Sequence, residues 1–132
     1  MPDVVTHFTN NKKNYDEEKK RLKPKAFIHK ETSEISVVDI DYELKQTNAD
    51  KIIFDIGDLI YTKEPKVKAR GDMDVSEIKK ITYGIEKKIY LEHTPIIGIP
   101  NHYNIKPEIA DLEFAGICSH NLSRISRLVI KV

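Results

Sequence analysis

A chain of 132 residues with one cysteine, no tryptophan and only five glycines has few of the usual markers of a dedicated chemistry. The single thiol, Cys118, excludes an internal disulfide and fits a reducing compartment. Long apolar runs are also missing: Ile96-Ile97-Gly98-Ile99 is far below the ~20 residues that a membrane helix needs. Met1-Pro2-Asp3 is not a basic segment leading into an apolar one, so a secretory signal is not expected and a cytoplasmic location is. Charge of one sign is lacking too. With 22 Lys and Arg against 21 Asp and Glu the net charge is +1, which gives no whole-molecule field to steer nucleic acid. There are no repeats, no low-complexity segment, no phosphate loop and no recognisable nucleophile motif.

What is present reads as one globular domain, 39% apolar and 33% charged, too short for two ordinary domains. The charge is unevenly spread along it. Residues 1–30 carry +4, residues 31–60 carry −6 and residues 61–90 carry +3. The densest basic stretch is Lys19-Lys20-Arg21-Leu22-Lys23-Pro24-Lys25, five cations in seven positions, leading into Ala26-Phe27-Ile28.

Residues 1–24 read as a basic N-terminal arm and residues 25–132 as a single α+β domain. Ala26–Ile28 and the β-branched Ile35–Ile40, around a polar turn at Lys30–Glu34, predict a hairpin. Thr47-Asn48-Ala49-Asp50 opens a helix whose stripe is Ile52, Ile53, Ile56, Leu59 and Ile60. Lys66–Arg70 alternates as a short strand, and Asp74-Val75-Ser76-Glu77 starts a short helix that Gly84 can end. Lys88–Glu92 is a strand, residues 93–106 a long Pro- and Gly-punctuated loop, and Pro107 with Ile109, Leu112 and Ile117 a helix toward His120. Leu128–Ile130 closes the chain. The expected architecture is a mixed sheet of four or five strands with about three helices over one face.

Two places carry candidate chemistry. Arg21, Lys23 and Lys25 alternate, so in extended geometry they share one face, where a guanidinium fork and point charges suit phosphate or carboxylate. His102, within Asn101-His102-Tyr103-Asn104, is a loop imidazole with the right pKa range for proton transfer, and Tyr103 and Asn104 are candidates to bind ligand beside it. His93, His102, Cys118 and His120 match no zinc spacing, so no metal and no cofactor is expected. Asp39/Asp41 and Asp72/Asp74 have the spacing for magnesium on strands, but a helix cap at Asp74 and a solvent face at Asp39 and Asp41 account for them without a metal, and a magnesium nuclease ranks last among the readings.

Arg21-Leu22-Lys23-Pro24-Lys25-Ala26-Phe27, Ile35-Ser36-Val37-Val38, Ala69-Arg70-Gly71-Asp72 and His102-Tyr103-Asn104-Ile105 together resemble a group of small uncharacterised bacterial proteins. In that group an R-x-K-P-x-A-F opening precedes a strand and an H-x-N-I element follows the last long loop. The likeness spans about residues 20–110 and departs from the group at Asp39, where a basic residue is expected, and at Asn101, where Arg is. It brings no activity with it and points to the basic opening and the His102 segment.

The reading that follows is a small cytoplasmic protein that recognises a phosphate-bearing ligand, RNA or a nucleotide. Arg21, Lys23 and Lys25 supply charge, and His102 is the general base if there is metal-independent RNA cleavage, as in a bacterial or phage defence component. The alternative is a non-catalytic adaptor in a larger assembly, docking through the basic arm or through Ile96, Ile97 and Ile99. No membrane partner is expected.

Overall fold

The computed structural model describes residues 1–28, 34–83, 87–107 and 112–132. Its strands are β1 (Val4–Thr9), β2 (Tyr15–Asp16), β3 (Arg21–Leu22), β4 (Ile35–Asp39), β5 (Ala69–Asp74), β6 (Thr82–Tyr83), β7 (Lys87–His93), β8 (His102–Pro107) and β9 (Arg127–Ile130). Its helices are α1 (Ala49–Ile60), α2 (Val75–Ile78) and α3 (Leu112–Ile125), with short 3-10 turns at Lys12–Asn14, Pro24–Phe27 and Glu43–Lys45. Seven strands form one sheet in the order β6-β7-β8-β4-β1-β5-β9, and β2 and β3 form a separate ribbon. The α+β class holds. The sheet is larger than expected and not mixed, because every described pairing is antiparallel.

Residues 1–24 are not an arm. Val4-Val5-Thr6-His7-Phe8-Thr9 is an interior strand, paired with β5 at all six positions and with β4 at two, Val5↔Asp39 and Thr6↔Val38. Alternation explains why it is buried on both sides. Val5 enters one core with Val37, Met73, Ile105, Cys118 and Leu122, and Phe8 enters the other with Val38, Ile40, Ile53 and Phe54. Helices therefore cover both faces rather than one, with α1 on the Phe8 side and α2, α3 and the β2–β3 ribbon on the Val5 side.

The expected hairpin does not form. Pro24–Phe27 is a 3-10 turn, since Pro at its first position presets φ, and β4 pairs instead with β1 and β8. Residues 30–33 of the proposed turn, Gly84 as helix stop and Ile109 lie outside the described residues. Helix α1 falls where its apolar stripe puts it. The segment read as a long loop shrinks to residues 94–101, because β7 and β8 pair from Ile89↔Pro107 to His93↔Tyr103. A tight turn at 96–99 closes that hairpin, Ile96 and Ile99 exchanging backbone hydrogen bonds of 3.2 and 3.0 Å around Gly98 at φ +83°.

The ribbon is held down at one glycine. Leu22 is fully buried; its N–H donates to Ser126 Oγ at 3.0 Å and its carbonyl accepts from Ser123 Oγ at 2.6 Å. Beneath it lies Gly71 of β5, where an added Cβ would come within 2.6 Å of Leu22 Cδ1 and 3.1 Å of Ser126 Cβ. Lys20, at φ 55°, passes its carbonyl to Leu128 N–H at 3.0 Å. Gly71→Ala is therefore expected to lift Leu22 and to destabilise the protein by about 1–3 kcal/mol, the usual overpacking cost, read from the urea midpoint.

Arg70 and Asp72 flank that glycine on the opposite face. Arg70, 1% exposed, donates from Nε to Asp72 Oδ1 at 2.9 Å and from Nη2 to Asp50 Oδ1 at 2.8 Å, with its guanidinium 5.1 Å from the Phe54 ring centroid. Asp72→Ala leaves a buried cation with only the exposed Asp50 as a partner, and urea unfolding should show a loss of about 3–5 kcal/mol.

Candidate functional site

The cross-strand pairs Val38↔His102 and Ser36↔Asn104 put these side chains on the α1 face of the sheet, since directly opposed residues point the same way. His102 is 7% exposed and lies in β8, not in a loop. The sequence concealed this strand because His-Tyr-Asn-Ile-Lys-Pro has one β-branched residue and ends in proline.

The ring of His102 is held at both nitrogens. Nδ1 lies 2.9 Å from the Thr94 carbonyl and 3.0 Å from Thr94 Oγ1. A carbonyl only accepts, so Nδ1 carries the proton, and in the neutral ring Nε2 is the acceptor. Ser36 Oγ is hydrogen-bonded to Nε2. Hydroxyl, imidazole and backbone carbonyl form one chain, and the hydroxyl end is exposed.

The row continues with charge. Asn104 Nδ2 donates to Glu34 Oε2 at 3.0 Å. Lys106 sits between Glu34 Oε1 at 3.1 Å and Glu92 Oε2 at 2.8 Å. Hydrogen bonds to Glu92 and Glu34 hold its pKa up at about 12, so it remains a cation throughout the neutral range.

Ser36 and Asn104 open onto a cleft of about 420 Å³, whose walls include Phe27, Ile28, Ile35, Ile60, Tyr61 and His7. The cleft lies where β1 leaves β4 after two paired positions, and His7 spans the divergence. Its Nδ1 lies 2.7 Å from the Ser36 carbonyl, its Nε2 2.7 Å from the Ala26 carbonyl, and its ring stacks on Phe27 at 4.9 Å. One edge of the ring is open to the cleft, yet protein packs closely around the rest and lowers its pKa below 6.5, against the opposite pull of the two carbonyls.

Arg21, Lys23 and Lys25 come together, but in another cleft. With Lys19, Asp16 and Ser123 they line a space of about 490 Å³, and among the described residues none of the four cations is ion-paired. Asp16 Oδ1 accepts from Lys19 N–H at 3.0 Å, a bond that lowers its pKa and holds the turn. The two clefts meet at one 3-10 turn: Pro24 and Lys25 line the basic one, Ala26 and Phe27 the apolar one. Neither cleft contains both the cations and His102. Tyr103 points away from His102, onto the opposite face, where it stacks on His93 at 4.7 Å.

The aspartate pairs are occupied structurally. Asp41 accepts the backbone N–H groups of Asp3 and Val4, both at 2.8 Å, and Asp39 accepts that of Asp41 at 2.9 Å. Among the described residues no group of His, Cys, Asp and Glu is placed to hold a metal, and no helix is long and apolar enough to cross a membrane. Sequence reasoning missed Ser36, Thr94 and His7. A serine inside a β-branched strand and a histidine in a supposed arm give no signal until the strands are paired. Comparison with protein families, with characterised proteins and with solved structures finds no match.

Because burial lowers the His7 pKa, the unfolded chain takes up a proton below 6.5 that the folded chain resists. Stability should therefore fall as pH drops from 7 through 6.5 toward 5. The urea midpoint of His7→Gln should lose that part of the pH dependence.

Proposed function

We propose that this protein recognises a phosphate-bearing ligand, RNA or a nucleotide, in the cleft of Lys19, Arg21, Lys23 and Lys25. The observation that carries this reading is that all four cations line one cleft, where Asp16 is the single acidic residue of the lining and no described carboxylate forms an ion pair with any of them. Unpaired cations converging on a concavity release counterions when phosphate binds, which is the main source of affinity for nucleic acid. The Leu22 contacts with Ser123 and Ser126 fix the backbone beside them, so the ordering cost of binding falls mainly on the cationic side chains. Metal-independent RNA cleavage with His102 as general base is the catalytic form of this reading. His102 lies outside the basic cleft, its Nε2 bonded to Ser36 and its ring 7% exposed, so recognition in that cleft does not depend on it.

A second reading, a non-catalytic adaptor, is favoured by the β7–β8 turn. Ile97 there is fully exposed and Ile96 is 46% exposed, although Ile99, expected to share the contact, is buried.

The test is a salt titration of binding to labelled single-stranded RNA and to nucleotides, with and without EDTA. Binding should weaken with salt. Changing Arg21, Lys23 and Lys25 together to Ala should cut affinity at least tenfold and lower the slope of log K against log salt by about 2 for single strands. Salt-independent or unchanged binding in the triple variant would overturn the reading. Absence of all binding would leave the adaptor.

A further inference from the structure

We propose that Ser36 is the nucleophile of an acyl-transfer site that hydrolyses esters of apolar acyl groups, a function beyond phosphate recognition and independent of it. Four observations converge. Ser36 is exposed on the cleft, while its partner His102 is buried. The Thr94 carbonyl holds the proton on His102 Nδ1, leaving the Nε2 lone pair on the Ser36 hydroxyl. That is the order of a nucleophile, a base and a group that orients the base.

Asn104, directly opposite Ser36, gives one amide hydrogen to Glu34, which orients it, and has a second with no described partner. That hydrogen is a donor for the oxygen that becomes negative when Ser36 adds to a carbonyl. The cleft itself is walled by Phe27, Ile28, Ile35, Ile60 and Tyr61, which suits an apolar acyl chain. A phosphate is disfavoured there, because Glu34 lines the cleft and Lys106 is committed to Glu34 and Glu92.

The chemistry closes with water alone. Ser36 Oγ bonds to the carbonyl carbon as its proton passes to His102 Nε2, and the Asn104 amide donates to the resulting oxyanion. The C–O bond to the alcohol breaks and His102 returns the proton to the departing oxygen. Water then adds to the acyl-serine with its proton taken by His102, and the acid leaves as Ser36 recovers its hydrogen.

The experiment is labelling of the full chain with an alkyl fluorophosphonate, which phosphonylates activated serines, followed by peptide mass spectrometry. Wild type should carry one adduct, on Ser36, and release p-nitrophenol from an apolar p-nitrophenyl ester. Ser36→Ala, a small change at an exposed site, should lose both, and His102→Gln should slow labelling by about 10²–10⁴-fold. Saturating single-stranded RNA should leave the labelling rate of wild type unchanged, which separates this site from the basic cleft. Because His102 is buried and its variant can lose the fold, Ser36→Cys serves as a second probe. Its thiol should alkylate with iodoacetamide at neutral pH faster than free cysteine, and Cys118 is buried and out of reach. No adduct on Ser36 while a control serine hydrolase reacts, an adduct that persists at full rate in a folded His102→Gln, or an ordinary thiol at position 36 would each overturn the proposal.

Discussion

The insertion of β1 between β4 and β5 is the constraint on which the rest depends. Its six-position ladder with β5 and two-position ladder with β4 close the sheet across chain segments far apart in sequence. Both faces of the strand are buried, Val5 in one core and Phe8 in the other, so the N-terminal residues are needed for either core to be complete. Phe8 also sets how closely α1 can approach. Gly57 is the helix residue above it, where a Cβ would come within 2.7 Å of the Phe8 ring. The early parting of β1 from β4 then leaves a backbone carbonyl of Ser36 without a strand partner on that side, and the His7 imidazole approaches it instead. A side chain doing the work of a strand partner is what opens the cleft.

The same sheet sorts chemistry by face. On the α1 face β4, β7 and β8 contribute Ser36, Glu92, His102, Asn104 and Lys106, with Glu34 just before β4: Ser36 bonds to His102, and Glu34 bonds to Asn104 and Lys106, which also reaches Glu92. Beyond β1 on that face lie Arg70 and Asp72, a buried ion pair near Asp50 and Phe54. The opposite face carries the larger apolar core, with His7 and His93 also on it. Polar groups in such rows stabilise only when each has a partner, which is why the tautomer of His102 follows directly from its neighbours.

Two clefts of different character lie on either side of a single turn. One is mainly cationic, with Asp16 its one acidic lining residue, and the other is largely apolar with the Ser36 hydroxyl on its wall. Pro24–Phe27 contributes to both, its first residues to the basic cleft and its last to the apolar one. Four cations of the five-cation run thus line one localised patch, while the adjoining Ala26-Phe27-Ile28 turns inward and outward around His7 rather than extending as a strand.

By itself the sequence determined the local events: helix α1 from its apolar stripe, and β7 and β9 from their short apolar runs. These depend on residues within a turn or two of one another, where periodicity and side-chain spacing are physically decisive. The tertiary structure alone decided that Val4–Thr9 is an interior strand, that His102 is buried in β8, and that Tyr103 faces away from it. It alone brought Ser36 to His102 across 66 positions of chain and Leu22 onto Gly71. Strand pairing fixes which face each residue occupies, and a shift of one position would reverse every one of them. That register is a property of the whole sheet, so no window of the sequence contains it.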